Sequence, residues 1–118
     1  MKNTTMLFEQ DKSKIISETF SAESEIVFSY GDALDILRAC PSGFVKLIIT
    51  SPPYNIGKEY EMQTNLEKYL NELEPVLEQV VRVLASDGSL CWQVGNYVED
   101  KEVFPLDMFF YPLFKRMG

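Results

Sequence analysis

Apolar residues recur at three- and four-residue steps through the middle of the chain, which predicts one long amphipathic helix. Thr64 and Glu67 form a capping-box pair at its start. Pro75 is expected to bend the helix, and Ser86-Asp87-Gly88 is expected to end it. The apolar positions that define its face are Leu66, Tyr69, Leu70, Leu73, Leu77, Val80, Val81 and Leu84.

Two shorter helices are predicted on either side of the long one. Asp32 can cap the first turn of a helix that Pro41-Ser42-Gly43 ends. Pro105 fits the first position of a last helix, after an acidic turn that is expected to be a solvated loop. The apolar residues of this last helix are Leu106, Phe109, Phe110, Leu113 and Met117.

Three segments are predicted as strands: Glu25 to Tyr30, Phe44 to Thr50 and Ser89 to Gly95. The second is a nearly unbroken apolar run, which is typical of a parallel strand covered on both faces. Strands alternate with helices along the chain, and the connections are long enough to be crossovers. The predicted fold class is therefore α/β, with a parallel sheet and flanking helices.

The length of 118 residues is room for one small domain. We expect an N-terminal extension over residues 1–24 and one folded unit over residues 25–118, because no repeat or Gly/Ser linker interrupts the sequence. No strand follows the apolar last helix, so nothing is left to cover it. We therefore expect either a missing C-terminal portion or self-association through that helix.

Composition excludes several kinds of site. The chain contains no histidine, which rules out Ser-His-Asp and Cys-His nucleophile systems and histidine-ligated metals, and no metal-ligand spacing is present. The net charge of -7 opposes binding to phosphate backbones. Cys40 and Cys91 are expected to be reduced, part-buried thiols. Without a signal peptide or an apolar run of membrane-spanning length, the protein is expected to be cytoplasmic.

A Ser51-Pro52-Pro53-Tyr54 loop follows the buried strand directly. Two prolines cannot join a sheet ladder, so the strand must end there, at the edge where open α/β sheets bind ligands. Thr50 to Asn55 resembles motif IV of the amino-group DNA methyltransferases. Gly31-Asp32-Ala33-Leu34 and Asp87-Gly88-Ser89-Leu90 resemble the same family in order and spacing.

The resemblance implies methyl transfer from S-adenosylmethionine to the exocyclic amino group of a flipped DNA base. Ser51 and the Pro52 carbonyl would accept hydrogen bonds from that amino group, Pro53 would stiffen the loop, and Tyr54 would stack on the base. Asp32 is a candidate contact for the cofactor's adenosine part, although helix capping explains it equally well. The fold would be a Rossmann-like methyltransferase fold, incomplete in this chain.

One family feature is missing, since the chain has no glycine-rich loop of the Phe-x-Gly-x-Gly type. The arrangement resembles the permuted class of the family, in which the catalytic loop precedes the cofactor loop. The basic DNA-reading region would then also lie outside this chain. We expect the chain alone to be inactive and to bind S-adenosylmethionine weakly or not at all.

Several alternatives remain open. Serine in the first motif position favours N4 of cytosine, with N6 of adenine as the second choice. A related loop methylates glutamine side chains in proteins, usually with asparagine in that position. The chain could instead be a catalytically silent interaction partner or remnant, and Ser51-Pro52-Pro53-Tyr54 could be only a turn that ends a strand, with Tyr54 packed on the surface.

Overall fold

The computed structural model describes residues 16–55 and 64–118 and divides the chain into two compact units, residues 1–32 and 33–118. The first 15 residues of the expected N-terminal extension lie outside the described residues. In the first unit, β1 (Ile16–Ser17) pairs in parallel with β2 (Ile26–Val27). The predicted strand over residues 25–30 is therefore shorter than expected, and Phe28 and Tyr30 are exposed.

A parallel strand pair with a helical crossover is the centre of the second unit. The chain runs from β3 (Val45–Thr50) through α2 (Leu66–Val83) to β4 (Leu84–Trp92). Strands β3 and β4 pair in parallel, with Leu47 opposite Ser89 and Thr50 opposite Trp92. This arrangement is the strand-helix-strand order that the sequence predicts.

Helix α2 has the predicted apolar face but different ends. Its cap is Asn65, whose side-chain oxygen accepts a hydrogen bond from the Lys68 amide at 2.8 Å. The prediction of a Thr64–Glu67 capping box is wrong by one residue at the cap, because the Thr64 backbone is bonded to another side chain described below. The helix ends at Val83, and the segment expected to end it belongs to β4.

Gly88 is required by close packing in β4. A Cβ atom at this position would lie 2.9 Å from the Val45 carbonyl oxygen and 3.0 Å from the Ala85 carbonyl oxygen, too close for backbone groups. The strand pairing is irregular here, since Val45 pairs with Leu84 while Leu47 pairs with Ser89. Gly88 thus allows β3 and β4 to approach through the irregularity.

The acidic segment after β4 is a hairpin and not the loop that the sequence predicts. Strand β5 (Asn96–Glu99) pairs antiparallel with β6 (Glu102–Pro105). The turn residues Asp100 and Lys101 both have positive φ, 49° and 69°, which is the backbone of a type I′ hairpin turn. The acidic residues are exposed, as expected of a solvated segment.

Helix α3 (Leu106–Met117) follows the hairpin directly, with Pro105 at the cap rather than in the first helical position. Leu106 and Phe110 of this helix are buried in a core with Tyr69, Leu77 and Tyr97. The expectation of an uncovered apolar face is thus wrong for Leu106 and Phe110, which the chain itself covers. Met108 and Tyr111 are exposed, and self-association stays a prediction.

Helix α1 (Ala33–Ala39) is tied to α2 by one guanidinium group. Arg82 donates to the carbonyls of Leu37 at 2.7 Å and Cys40 at 3.0 Å, and to the Ser42 hydroxyl at 2.9 Å. These carbonyls lie at the carboxyl end of α1, where the last backbone carbonyls of a helix have no amide donor within the helix. Arg82 therefore fixes the start of the connection to β3.

One face of the β3–β4 pair lacks cover within the described residues. Leu47 is 53% exposed and Ile49 is 73% exposed, although the apolar run predicts a strand buried on both faces. Cys91, opposite Ile49, is also exposed and not part-buried as expected, while Cys40 is half-buried. Among residues 16–55 and 64–118, no helix could span a membrane and no acidic or cysteine cluster could hold a metal ion.

Candidate active site

The predicted loop stands at the carboxyl end of β3. The Gln93 amide donates to the Thr50 carbonyl at 2.9 Å, and this is the bond that joins the end of β3 to the chain after β4. Ser51 follows at once, and the two prolines after it have no amide hydrogen to continue a ladder. The loop is therefore anchored by the sheet on one side and leaves the sheet where the sequence predicts.

The structure brings Ser51 and Tyr54 together. The Ser51 hydroxyl oxygen lies 2.6 Å from the Tyr54 hydroxyl oxygen, and either group can be the donor. Ser51 is exposed and Tyr54 is half-buried, while Pro52 between them is buried. The Ser51 and Tyr54 hydroxyls thus lie side by side, and the buried Pro52 between them packs the loop against the protein.

Asn55 is the most buried polar side chain of the described residues, at 2% exposure. Its side-chain nitrogen donates to the Thr64 carbonyl at 2.5 Å, and its side-chain oxygen accepts from the Thr64 amide at 2.7 Å. Its φ of 59° lies in the left-handed region, which asparagine tolerates better than most residues. Asn55 therefore ends the motif in a fixed turn and replaces a backbone pair with its own amide.

Two tyrosines complete this support from neighbouring elements. The Tyr69 hydroxyl on α2 donates to the Pro53 carbonyl, and Tyr69 is 6% exposed. The Tyr97 hydroxyl on β5 donates to the Thr64 carbonyl at 3.3 Å. The loop is thus held at Pro53 by one buried phenol, and its partner Thr64 is held by another.

The pattern of occupied carbonyls distinguishes the two prolines. Pro53 accepts the Tyr69 hydrogen bond, whereas no hydrogen bond from the described part of the chain ends at the Pro52 carbonyl. A carbonyl oxygen without a protein donor can accept from a ligand. Ser51 and Pro52 are adjacent in sequence, so the loop carries two hydrogen-bond acceptors in consecutive residues.

Gly95 allows the Tyr54 ring to take its position. A Cβ atom at Gly95 would lie 3.1 Å from Tyr54 Cδ2 and 3.4 Å from Cε2, closer than a methyl group and a ring carbon normally approach. Because the φ of Gly95 is not in the left-handed region, the space and not the backbone conformation requires glycine. The ring therefore rests on the segment that follows β4.

A cleft of about 450 Å³ lies beside the loop, and its walls come from α1, β3 and α2. Its lining is apolar except for Thr50, Ser51 and the Trp92 ring edge, so it suits a flat aromatic group better than a charged one. The lining residues are Ala33, Ile36, Leu37, Ile48, Thr50, Ser51, Pro52, Pro53, Leu73, Val76, Val80 and Trp92.

Burial raises the pKa of Tyr97 above its ordinary value, and the negative charge of Glu99 raises it further. Tyr97 therefore stays neutral across the physiological range, and both the Glu99 carboxylate and the Thr64 carbonyl are acceptors for its hydroxyl hydrogen. The hydroxyl can thus donate a hydrogen bond at neutral pH.

Comparison with known proteins decides the family. A model of the N6_N4_Mtase family, described as DNA methylase, matches residues 45–115, which contain the loop, α2, the hairpin and most of α3. The chain belongs to this DNA methylase family. The α/β fold expected from the sequence is confirmed, and the chain holds only part of it.

Among relatives of this DNA methylase chain, the Type II methyltransferase M.BglII of Bacillus subtilis is 44% identical over 89 residues, which are 75% of the chain and 25% of the relative. The Type II methyltransferase M.ScaI of Streptomyces caespitosus is 34% identical over 85 residues, 72% of the chain and 28% of the relative. The chain thus spans about a quarter of the length of the curated relatives it matches.

Solved structures agree with this assignment. A putative DNA modification methylase from Thermus thermophilus is 33% identical with a TM-score of 0.63, covering 75% of this chain and 38% of that one. A structure of the same Thermus protein is complexed with S-adenosyl-L-methionine. The cytosine-N4-specific PvuII DNA methyltransferase, at 22% identity and a TM-score of 0.56, matches 75% of this chain and 32% of its own and shows the shared fold.

Four of the five site residues proposed from the sequence lie together in the structure. Ser51, Pro52, Pro53 and Tyr54 form one loop in the second unit, while Asp32 belongs to the first unit and its cofactor role stays a prediction. Sequence reasoning gave no role to the supports of the loop, namely Asn55, Tyr69, Gly95 and Tyr97. Their signals were weak: an asparagine at the end of the motif, tyrosines among apolar residues, and a glycine after a strand.

Proposed function

We propose that this chain is the catalytic-loop part of a site-specific DNA methyltransferase that uses S-adenosylmethionine and acts on the exocyclic amino group of a flipped base, N4 of cytosine preferred. The observation that carries this proposal is the pair of neighbouring acceptors, the Ser51 hydroxyl and the Pro52 carbonyl, at the end of β3. DNA is the partner of the whole protein, because an amino group in a base is the substrate.

The chemistry explains why two acceptors are needed. An exocyclic amino nitrogen is a poor nucleophile, because its lone pair is delocalised into the ring. Acceptors that take both amino hydrogens draw the nitrogen toward tetrahedral geometry and free the lone pair for attack. A rigid loop holds such acceptors in place before the reaction, so no reorganisation is needed in the transition state.

The supports found around the loop fit this role. Tyr69 occupies the Pro53 carbonyl and leaves the Pro52 carbonyl for the base. Tyr54 would stack on the flipped base, with its ring placed by Gly95. The cleft beside Ser51 and Pro52 has an apolar wall against which a planar ring can pack. No covalent intermediate is required, which is compatible with a chain that has no histidine.

The residues of this chain fit the cofactor only in part. Gly88 and Gly95 both lie where an added Cβ atom would meet protein atoms, so close packing accounts for both glycines. The sequence has no Phe-x-Gly-x-Gly loop, and Asp32 is the one proposed contact. S-adenosylmethionine, when bound, supplies a methyl group on a positively charged sulfur. We place its main binding loop outside these residues, as in the permuted class.

The test is single-turnover methylation of plasmid DNA by the product of the complete reading frame that contains these 118 residues. Ser51→Ala should slow turnover by about 10²- to 10³-fold, the usual effect of losing one preorganised transition-state partner. Ser89→Ala, at a serine of β4 away from the loop, is the matched control and should keep the parent rate. Digestion and mass spectrometry of the nucleosides identify the methylated base.

The outcomes separate the parts of the proposal. If Ser51→Ala methylates at the parent rate, the role of the loop is wrong. If the product is N6-methyladenine, the mechanism stands and the choice of cytosine is wrong. If the parent transfers no methyl group to DNA, the silent-partner hypothesis is favoured instead.

A further inference from the structure

The Ser51 and Tyr54 hydroxyls form a hydrogen-bonded pair at 2.6 Å, and stacking on a base does not explain it. Stacking uses the face of the Tyr54 ring, and phenylalanine would provide the same face. The hydroxyl is an additional polar group placed directly beside the acceptor that the proposed reaction uses. Its position therefore requires a separate explanation.

A serine acceptor has a difficulty that a carboxylate acceptor lacks. A serine hydroxyl carries one hydrogen and two lone pairs, whereas an ionised carboxylate carries lone pairs only. If the hydrogen of the Ser51 hydroxyl points at the target amino group, it faces an amino hydrogen. The Ser51 oxygen then has no lone pair directed at that amino hydrogen and cannot accept it. Ser51 can act as the acceptor only when its own hydrogen is directed elsewhere.

Tyr54 is the partner to which that hydrogen can go. Among the described residues, the Tyr54 hydroxyl is the one group that forms a hydrogen bond with the Ser51 side chain. The ring lies so close to Gly95 that an added Cβ atom there would be 3.1 Å from Tyr54 Cδ2, and the loop around Tyr54 is held by Tyr69 and Asn55. The Tyr54 oxygen is thus kept within reach of Ser51.

We propose that the Tyr54 hydroxyl is a positioning group that accepts the Ser51 hydrogen, so that the Ser51 lone pairs face the target amino group. The chain of bonds would run from the amino group to Ser51, from Ser51 to Tyr54, and from the half-buried Tyr54 hydroxyl to solvent. Hydrogen bonds aligned in one direction strengthen one another. This inference rests on the proposed function and assigns Tyr54 a second role within it.

The decisive variant is Tyr54→Phe, which keeps the aromatic ring and removes the hydroxyl. We expect the single-turnover rate to fall about fivefold to tenfold, the effect of one neutral hydrogen bond that acts in the transition state. Capture of the flipped base should not change, because the stacking face is intact. Tyr111→Phe, at an exposed tyrosine of α3, is the matched control and should behave like the parent.

Two backgrounds test whether Tyr54 acts through Ser51. With Ser51→Ala there is no hydroxyl to orient, and with Ser51→Asp the acceptor has no hydrogen when ionised. In both backgrounds, adding Tyr54→Phe should change the rate by less than about twofold. The rates come from the complete protein acting on plasmid DNA. Base capture is read from 2-aminopurine fluorescence in a short duplex carrying that probe beside the methylated base.

Each other result would overturn the inference. An unchanged rate for Tyr54→Phe would show that the hydroxyl is not needed, and an equal loss in all three backgrounds would show that it does not act through Ser51. A weaker 2-aminopurine signal with an unchanged rate at saturating DNA would assign the hydroxyl to base binding. A parent without methylation would remove the proposed function and this inference together, whereas the preceding outcomes leave the function in place.

Discussion

The Asn55 side chain holds the backbone of Thr64 through two hydrogen bonds, at 2.5 and 2.7 Å, across nine positions of sequence. This contact closes the chain after the Ser51-Pro52-Pro53-Tyr54 loop and brings the loop to the start of α2. It also makes Thr64 the common partner of Asn55 and Tyr97. The Ser51-Pro52-Pro53-Tyr54 loop is therefore supported by contacts of residues that lie outside these four positions.

Removal of the Asn55 amide should destabilise the protein. Asn55→Ala leaves the Thr64 amide and carbonyl without these partners, and we expect a loss of about 1–3 kcal/mol in the free energy of unfolding. Urea denaturation followed by circular dichroism measures it. Asn71→Ala, at an exposed asparagine of α2, is the control and should lose nothing. If Asn55→Ala were as stable as the parent, the hydrogen bonds between Asn55 and Thr64 would not stabilise the protein.

The left-handed backbone of Asn55 contributes to that loss separately. Asn55→Gly removes the amide but accepts a φ of 59° without steric cost. Comparison of the glycine and alanine variants in the same denaturation experiment therefore separates the hydrogen bonds from the backbone strain.

The Tyr69 hydroxyl should matter for the loop more than for the core. Tyr69→Phe keeps the ring, whose edge packs on Phe110 with centroids 6.1 Å apart, and removes the hydrogen bond to Pro53. We expect a stability loss of about 0.5–1.5 kcal/mol. The single-turnover methylation rate of the complete protein should fall as well, because the Pro53–Tyr54 peptide is less well held. Tyr111→Phe is again the exposed control, and an unchanged rate for Tyr69→Phe would argue against a positioning role.

Gly95→Ala should displace Tyr54. The added methyl group would lie 3.1 Å from the ring, so the ring must shift by a few tenths of an ångström or more. We expect weaker capture of the flipped base, read from 2-aminopurine fluorescence. The same substitution made together with Tyr54→Ala should cost nothing further, since the clashing ring is gone. A Gly95→Ala variant with parental base capture would show that the ring position is not critical.

Tyr97 should make stability sensitive to alkaline pH. Burial raises its pKa above the ordinary 10.0, with a further contribution from Glu99. The folded state thus binds this proton more tightly than the unfolded state, and the resulting stability is fully present below pH 10.0 and is lost as pH rises through the folded pKa. Thermal unfolding from about pH 8 to about pH 11 should show this loss.

Tyr97→Phe is the matching variant, because it cannot ionise. Its melting temperature should be lower than that of the parent at neutral pH, where the Thr64 bond is missing, and should fall less steeply above pH 10.0. Tyr111→Phe should follow the parent curve, since its exposed hydroxyl is not buried by folding. Parallel curves for Tyr97→Phe and the parent would show that Tyr97 does not control alkaline stability.

Features that depend on neighbours along the chain could be predicted from the residues alone. The apolar run before Ser51 predicted β3, and the two prolines ended it because they have no amide hydrogens to donate. The helical periodicity predicted α2, and three of its four buried residues, Tyr69, Leu77 and Val80, lie on the predicted face. The fourth, Val83, was not among the predicted positions. The motif and its surroundings also indicated the methyltransferase family, which the family model supports.

Features that depend on residues distant in sequence became visible in the folded chain. The sequence predicts Thr64 as the helix cap, but the Thr64 backbone is hydrogen-bonded to the Asn55 side chain, and Asn65 caps the helix instead. The hairpin turn at Asp100 and Lys101 has positive φ angles without the glycine that usually reveals them, and its partner strands set that conformation. The Tyr69 hydroxyl reaches Pro53 because α2 packs beside the loop. Local patterns cannot encode such contacts, since each depends on where two separate elements meet.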